Sequence, residues 1–247
     1  MDIPVFQTDS EHAGLKVRSL GPPAGEPVQA ACVLCHGFGA SGTDLVGIGE
    51  DLLRSRPALA KTVRLHFPEA PMDLGPMGMP GGRAWWMLNM RRLSLPFDER
   101  VEALRNERPE GVEALRTQFD SAIDSLLTLD GLPSGSLVVG GFSQGSMLAT
   151  DYALRSDEPL GGLAILSGAL VMQAEWSERA GACPPRRVFQ SHGRHDDILP
   201  YAAGEGLRDL LTGADHTVRF EPFDGPHTIP PVALEGIAEL LDAVVDR

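Results

Sequence analysis

Short apolar runs alternate with amphipathic stretches of helical spacing along most of the chain, and this alternation restricts the fold more than any single residue does. The runs at 15–20 (LKVRSL), 28–35 (VQAACVLC), 62–67 (TVRLHF), 136–142 (SLVVGGF), 161–167 (GGLAILS), 186–193 (RRVFQSHG) and 217–223 (TVRFEPF) read as strands. Segments 43–54, 109–129, 145–154, 202–211 and 232–245 read as helices. The longest, 109–129, repeats Val112, Leu115, Phe119, Ile123 and Leu126 on one face, and Pro109 suits its first turn. Strands that are apolar throughout are covered on both sides. The pattern therefore predicts an α/β fold with a mostly parallel sheet between two helical layers. With 247 residues, 43% of them hydrophobic, the chain can bury a large core as a single domain spanning 1–247.

Composition narrows the partners. A net charge of -13 repels phosphate backbones and anionic headgroups, so neither nucleic-acid binding nor stable membrane insertion is expected. The N-terminal MDIPVFQTDSEH has neither a basic nor an apolar region of the secretory kind. No apolar run approaches the ~20 residues of a membrane helix. A cytoplasmic location is the expectation. The three cysteines, Cys32, Cys35 and Cys183, then read as free thiols. Cys32 and Cys35 form a CxxC, but inside a strand residues three apart face opposite sides, so they read as small core residues.

The segment 68–97 lacks periodicity and holds five of the eight methionines and two of the three tryptophans. That is too much apolar surface for a free loop. It is expected to form a binding loop or flap, with Trp85, Trp86 and Met87 as contacts to an apolar substrate group.

Chemistry concentrates at Gly141-Phe142-Ser143-Gln144-Gly145, which follows a strand and opens a helix. A tight strand-to-helix turn lifts a serine hydroxyl above the sheet edge and leaves no room for side chains two residues to either side. Such a serine needs a base. Of the four histidines beyond it, His227 lies in a loop between the last strand and the last helix, where a base would have to stand, and His216 precedes a strand and is expected to be solvated. Asp196 and Asp197 both follow the strand 186–193, and spacing alone leaves the acid open between them. The glycine-rich His36-Gly37-Phe38-Gly39 follows an early strand. One of its N–H groups, with that of Gln144, would stabilise an oxyanion. His192, His195, Asp196 and Asp197 could also be read as metal ligands, although no other cluster completes such a site.

Taken together, LCHGFGASGTD, FPEAP, GGRAWW, GGFSQGS, LSGAL, SHGRHDDILP and GPHTIP, in this order from about residue 30 to the end, resemble the phospholipase/carboxylesterase branch of the α/β-hydrolases. That branch includes acyl-protein thioesterases and small bacterial carboxylesterases. The resemblance implies an α/β-hydrolase fold, a Ser143–Asp196–His227 triad, oxyanion donors on the backbone of Phe38 and Gln144, no cofactor and no metal. It implies hydrolysis of short to medium acyl esters, with thioesters or lysolipids as the alternative. Ser146, Pro226 and Met87 depart from the family's usual glycine, glycine and aspartate. The last of these stands in the binding wall and leaves the substrate open.

Overall fold

The computed structural model describes residues 6–23, 25–89, 91 and 94–246. Strands β1 (Phe6–His12) and β2 (Leu15–Gly21) form an antiparallel hairpin. Its turn residues, Ala13 and Gly14, both have positive φ (50° and 78°), the geometry that suits the twist of a tight hairpin. Next come β3 (Ala30–Cys35), α1 (Val46–Ser55), α2 (Leu59–Thr62) and β4 (Val63–Pro68). A two-stranded ribbon of β5 (Met72–Asp73) and β6 (Arg83–Ala84) follows, then α3 (Phe97–Arg105) and α4 (Val112–Asp130). The chain continues through β7 (Leu137–Phe142), α5 (Gln144–Arg155), β8 (Gly162–Leu166), α6 (Gln173–Ala182), β9 (Arg187–Gly193), α7 (Tyr201–Gly213), β10 (Thr217–Phe223) and α8 (Pro231–Val245).

Eight strands form one sheet in the order β1-β2-β4-β3-β7-β8-β9-β10. All pairings from β4 to β10 are parallel, and β1 and β2 are antiparallel additions at one edge. The central strands are buried on both faces because their side chains alternate between two apolar layers. Ala31, Val33 and Cys35 of β3 face the layer formed with α4, α5, α6 and α7, whereas Ala30, Cys32 and Leu34 face the layer formed with α1, α2 and α8. Cys32 and Cys35 thus lie on opposite sides of the sheet, as the strand reading requires. Burial pushes the Cys32 thiol up to about 12.

One buried ionic cluster joins three helices on the first face. Asp151 of α5 accepts hydrogen bonds from Arg116 of α4 at 2.6 and 2.9 Å, and from the indole N–H of Trp176 on α6 at 3.1 Å. Removing one partner of such a buried set leaves an uncompensated charge and costs about 3–5 kcal/mol, so these helices are held in register by more than apolar packing.

The sequence pattern misses several elements, the one-turn helix α2 among them. Strand β1 is mostly exposed and polar, so it has no apolar alternation to reveal it. Helices α3 and α6 bury few residues and their apolar faces are correspondingly thin. Helix α4 begins at Val112, three residues after Pro109, whose carbonyl accepts the Val112 N–H. Segment 68–97 is not irregular throughout: the β5–β6 ribbon and the start of α3 fall within it.

Candidate active site

Four loops meet beyond the C-terminal ends of the parallel strands, where open α/β sheets present their ligand sites. They follow β3, β7, β9 and β10 and carry His36–Gly39, Ser143, Asp196 and His227. Ser143 sits between β7 and α5 with φ 53° and ψ −120°, a strained backbone for a non-glycine residue. Its N–H donates to the Leu166 carbonyl of β8 at 2.9 Å, which anchors the turn. The flanking glycines make the turn possible. A Cβ on Gly145 would lie 2.1 Å from the Cys35 carbonyl oxygen, and one on Gly141 would lie 2.4 Å from the same atom. The elbow therefore lies directly against the end of β3.

That contact brings the His36–Gly39 loop alongside Ser143. His36 is buried, and its ring is fixed at both nitrogens. Nε2 accepts the Ala70 N–H at 3.1 Å, so the proton is on Nδ1, which donates to the Gly37 carbonyl at 2.8 Å. Burial depresses its pKa, consistent with a neutral ring. The loop is held on its far side by β6, through Gly39 N–H to the Arg83 carbonyl (2.8 Å) and Arg83 N–H to the Ala40 carbonyl (3.0 Å). Among the described residues, no hydrogen bond takes the N–H of Phe38 or of Gln144. Phe38, Ser143 and Gln144 line one cavity.

Asp196 is buried and Asp197 exposed. The Asp196 carboxylate is caged by its own turn, with Oδ1 accepting the N–H groups of Ile198 (2.9 Å) and Leu199 (2.8 Å). Its Oδ2 lies 2.6 Å from Nδ1 of His227. Burial alone would raise its pKa. The contacts with His192 and His227 outweigh burial and hold the carboxyl well below the usual range. His227 is half-buried, its ring tilted against Phe142 at 4.7 Å between centroids. The loop carrying it is pinned where the Ser167 hydroxyl donates to the Thr228 carbonyl at 3.2 Å. Ser143 and His227 line the same cavity, and no hydrogen bond joins them. Such contacts commonly tighten only when substrate binds.

The cavity measures about 310 Å³, at the lower end of the ~300–1,000 Å³ usual for small-molecule sites. Trp86, Leu88, Leu104, Met147 and Leu199 supply apolar wall, and Ile198 lies at its margin. Of the three residues expected to touch substrate, Trp86 lines this cavity, whereas Trp85 and Met87 do not. Trp85 points the other way, into the core, with its ring edge-on to Phe119 and its indole N–H donating to the His36 carbonyl at 2.9 Å. Trp85 and Trp86 lie in the bend that follows β6, and there their side chains take different sides, one to the core and one to the cavity. Met90, one of the five methionines of segment 68–97, lies outside the described residues.

One further expectation is corrected. His216 is buried, not solvated, and its Nδ1 accepts the Arg186 N–H at 2.9 Å, closing the turn before β10. His192, His195, Asp196 and Asp197 do not converge. His195 is exposed and pairs with Asp224 at 2.6 Å, and His192 is buried beneath the Asp196 turn with Nε2 donating to the Leu199 carbonyl at 2.9 Å. Among the described residues, no three His, Cys, Asp or Glu side chains are grouped as metal ligands.

One contact escaped the sequence. The Gln144 side chain accepts the Trp85 N–H at 3.0 Å and donates to the Trp86 carbonyl at 2.8 Å, pairing with that backbone as a neighbouring strand would. The residue after the serine thereby ties the tryptophan-bearing wall to the elbow. No local signal announces a contact across 58 residues.

Comparison with known proteins agrees with this architecture. A family model described as Phospholipase/Carboxylesterase matches residues 22–245. The chain is 30% identical over 241 residues to acyl-protein thioesterase 1 of Mycosarcoma maydis, covering 94% of this chain and 98% of that protein. It is 28% identical over 233 residues to acyl-protein thioesterase 1 of Emericella nidulans, covering 90% and 93%. Among solved structures, esterase PE8 superposes with a TM-score of 0.76 at 27% identity, covering 92% of this chain and 97% of that one. A carboxylesterase from Mesorhizobium loti does so with a TM-score of 0.69 at 17% identity, covering 96% and 97%, a likeness of fold alone. The fold is that of the α/β-hydrolases.

Proposed function

The chain belongs to the phospholipase/carboxylesterase family, and from that membership and the geometry of its site we propose that it is a serine carboxylesterase acting on short to medium acyl esters. The observation that carries this reading is the 2.6 Å contact between Asp196 and His227 beside a strained Ser143, in one cavity with two uncommitted backbone N–H groups.

In this reading Ser143 Oγ attacks the ester carbonyl carbon while Nε2 of His227 takes its proton. Asp196 keeps the His227 proton on Nδ1, so that Nε2 is free to act as base, and stabilises the imidazolium that forms. The carbonyl oxygen becomes an oxyanion and accepts hydrogen bonds from the N–H groups of Phe38 and Gln144. His227 then gives its proton to the leaving alcohol. Water, deprotonated by the same histidine, releases the acid and restores Ser143. The acyl chain would lie against Trp86, Leu88, Leu104, Met147 and Leu199.

The relatives named acyl-protein thioesterase favour a second reading in which the same groups act on a thioester. Rates on oxygen and sulfur esters of one acyl group separate the two. We further read the chain as one α/β-hydrolase domain working in the cytoplasm. No described helix is long and apolar enough to cross a membrane.

Ser143→Ala tests the proposal. Turnover of an acyl ester should fall on the order of a millionfold with the melting temperature nearly unchanged. A variant retaining a tenth of wild-type turnover would remove Ser143 from the mechanism.

A further inference from the structure

His192 has an arrangement that stability does not explain. It lies on β9 with no solvent exposure. Its Nε2 must carry the proton, because it donates to the Leu199 carbonyl at 2.9 Å. Nδ1 is then a bare acceptor, and among the described residues it has no hydrogen-bond partner. Helix α7 seals it there, since a Cβ on Gly204 would lie 2.4 Å from that nitrogen. The ring edge of Tyr201 closes another side at 6.0 Å between centroids. A buried acceptor left without a donor destabilises the fold. A glutamine or methionine of similar reach would avoid the fixed, bare ring nitrogen.

What the imidazole does provide is on its other side. Nε2 lies 3.3 Å from Oδ2 of Asp196, the oxygen that faces His227. That nitrogen's hydrogen bond goes to the Leu199 carbonyl, and the carboxylate lies beside the same N–H at ion-pair distance. Leu199 in turn donates its own N–H to Oδ1 of Asp196. The carboxylate is gripped from the turn by Ile198 and Leu199, and from beneath by His192, leaving His227 as its remaining partner on the cavity side.

We propose that His192 is a positioning residue which, through its Nε2–H, fixes the Asp196 carboxylate against His227. The inference rests on the triad reading above and adds a fourth side chain to it. Without that N–H, Oδ2 can turn away from His227, and the base loses its alignment. Misplacement of a reacting group by about 1 Å is enough to cost on the order of 10²-fold in rate. Substrate contacts are not involved, so the loss should fall on kcat and spare KM.

Three variants and one spectrum test it. His192→Met removes the N–H and keeps apolar bulk. His192→Gln returns an N–H at the ε position. His192→Asn is too short to do so, and serves in place of His192→Met if that variant does not fold. The expected result is a kcat lower by about 10–10²-fold for Met and Asn, with KM held and most of the loss recovered by Gln. The downfield NMR signal of the His227 Nδ1 proton should move in Met and Asn and stay in Gln. Equal kcat across the series, or a lower melting temperature with kcat and the proton signal unchanged, would make His192 a packing residue and overturn the proposal. Equal losses in Gln and Met would also overturn it, since the N–H would then not be the cause. Asp196→Asn measured alongside separates the two claims. If it remains active, the triad reading fails and this one with it; if it is inactive while the His192 variants match wild type, only this inference fails.

Discussion

Asp196 and Asp197 are adjacent in sequence and face different surroundings. Asp196 is enclosed by two backbone N–H groups and His227. Asp197 is exposed, and it is its carbonyl, not its carboxylate, that Arg100 holds, at 2.6 Å. Spacing in the sequence leaves the two equivalent, because burial of one carboxylate depends on where β10 and its loop arrive. On the proposed mechanism Asp196→Asn should lose roughly 10⁴-fold in kcat, by favouring the wrong tautomer of His227. Asp197→Asn should remain close to wild type, and kinetics on both variants decide between them. A second chain of serine, histidine and aspartate shows that residue types alone do not make a site. Ser19 lies 2.8 Å from His66, and His66 lies 2.8 Å from Asp130. However, Ser19 sits in mid-strand on β2, the carboxylate is shared with Arg64, and the triplet ties β2 and β4 to the end of α4.

Among the elements, the β5–β6 ribbon and the tryptophans after it link substrate wall to catalytic turn. β6 pairs with the His36–Gly39 loop, and the Gln144 side chain holds the backbone of Trp85 and Trp86. The two tryptophans therefore divide the work that the sequence assigns to both. If Trp86 lines the acyl site, each CH₂ buried against it adds up to ~0.8 kcal/mol, and specificity rises with chain length until the cavity is full. Trp86→Ala should flatten that rise across acyl chains from acetyl to dodecanoyl while leaving acetyl esters nearly unaffected. Trp85→Ala, opening a hole in the core beside Phe119, should instead cost about 3–5 kcal/mol of stability. An unchanged chain-length profile in Trp86→Ala would take this wall out of the substrate site.

At the scale of the whole molecule, what the sequence reveals is what burial on both faces writes into it. The parallel strands β3, β7 and β8 are legible because each is apolar at nearly every position, and the elbow because Gly141 and Gly145 have no alternative where the turn meets Cys35. Strand β1 is hidden because an exposed edge needs no apolar residue. His216 is misread because the hydrogen bond that buries it comes from Arg186, thirty residues away. The grip of Gln144 on the tryptophan backbone and the seat of His192 under Asp196 depend likewise on three-dimensional approach, which spacing does not encode. The central claim is that one serine of this chain is a nucleophile. A fluorophosphonate probe tests it directly, because it forms a covalent bond only with an activated hydroxyl. Intact-mass measurement followed by peptide mapping should find one adduct per chain, on Ser143, and none on the Ser143→Ala protein. No adduct on the wild type, or an adduct on Ser19 that persists in Ser143→Ala, would contradict the account.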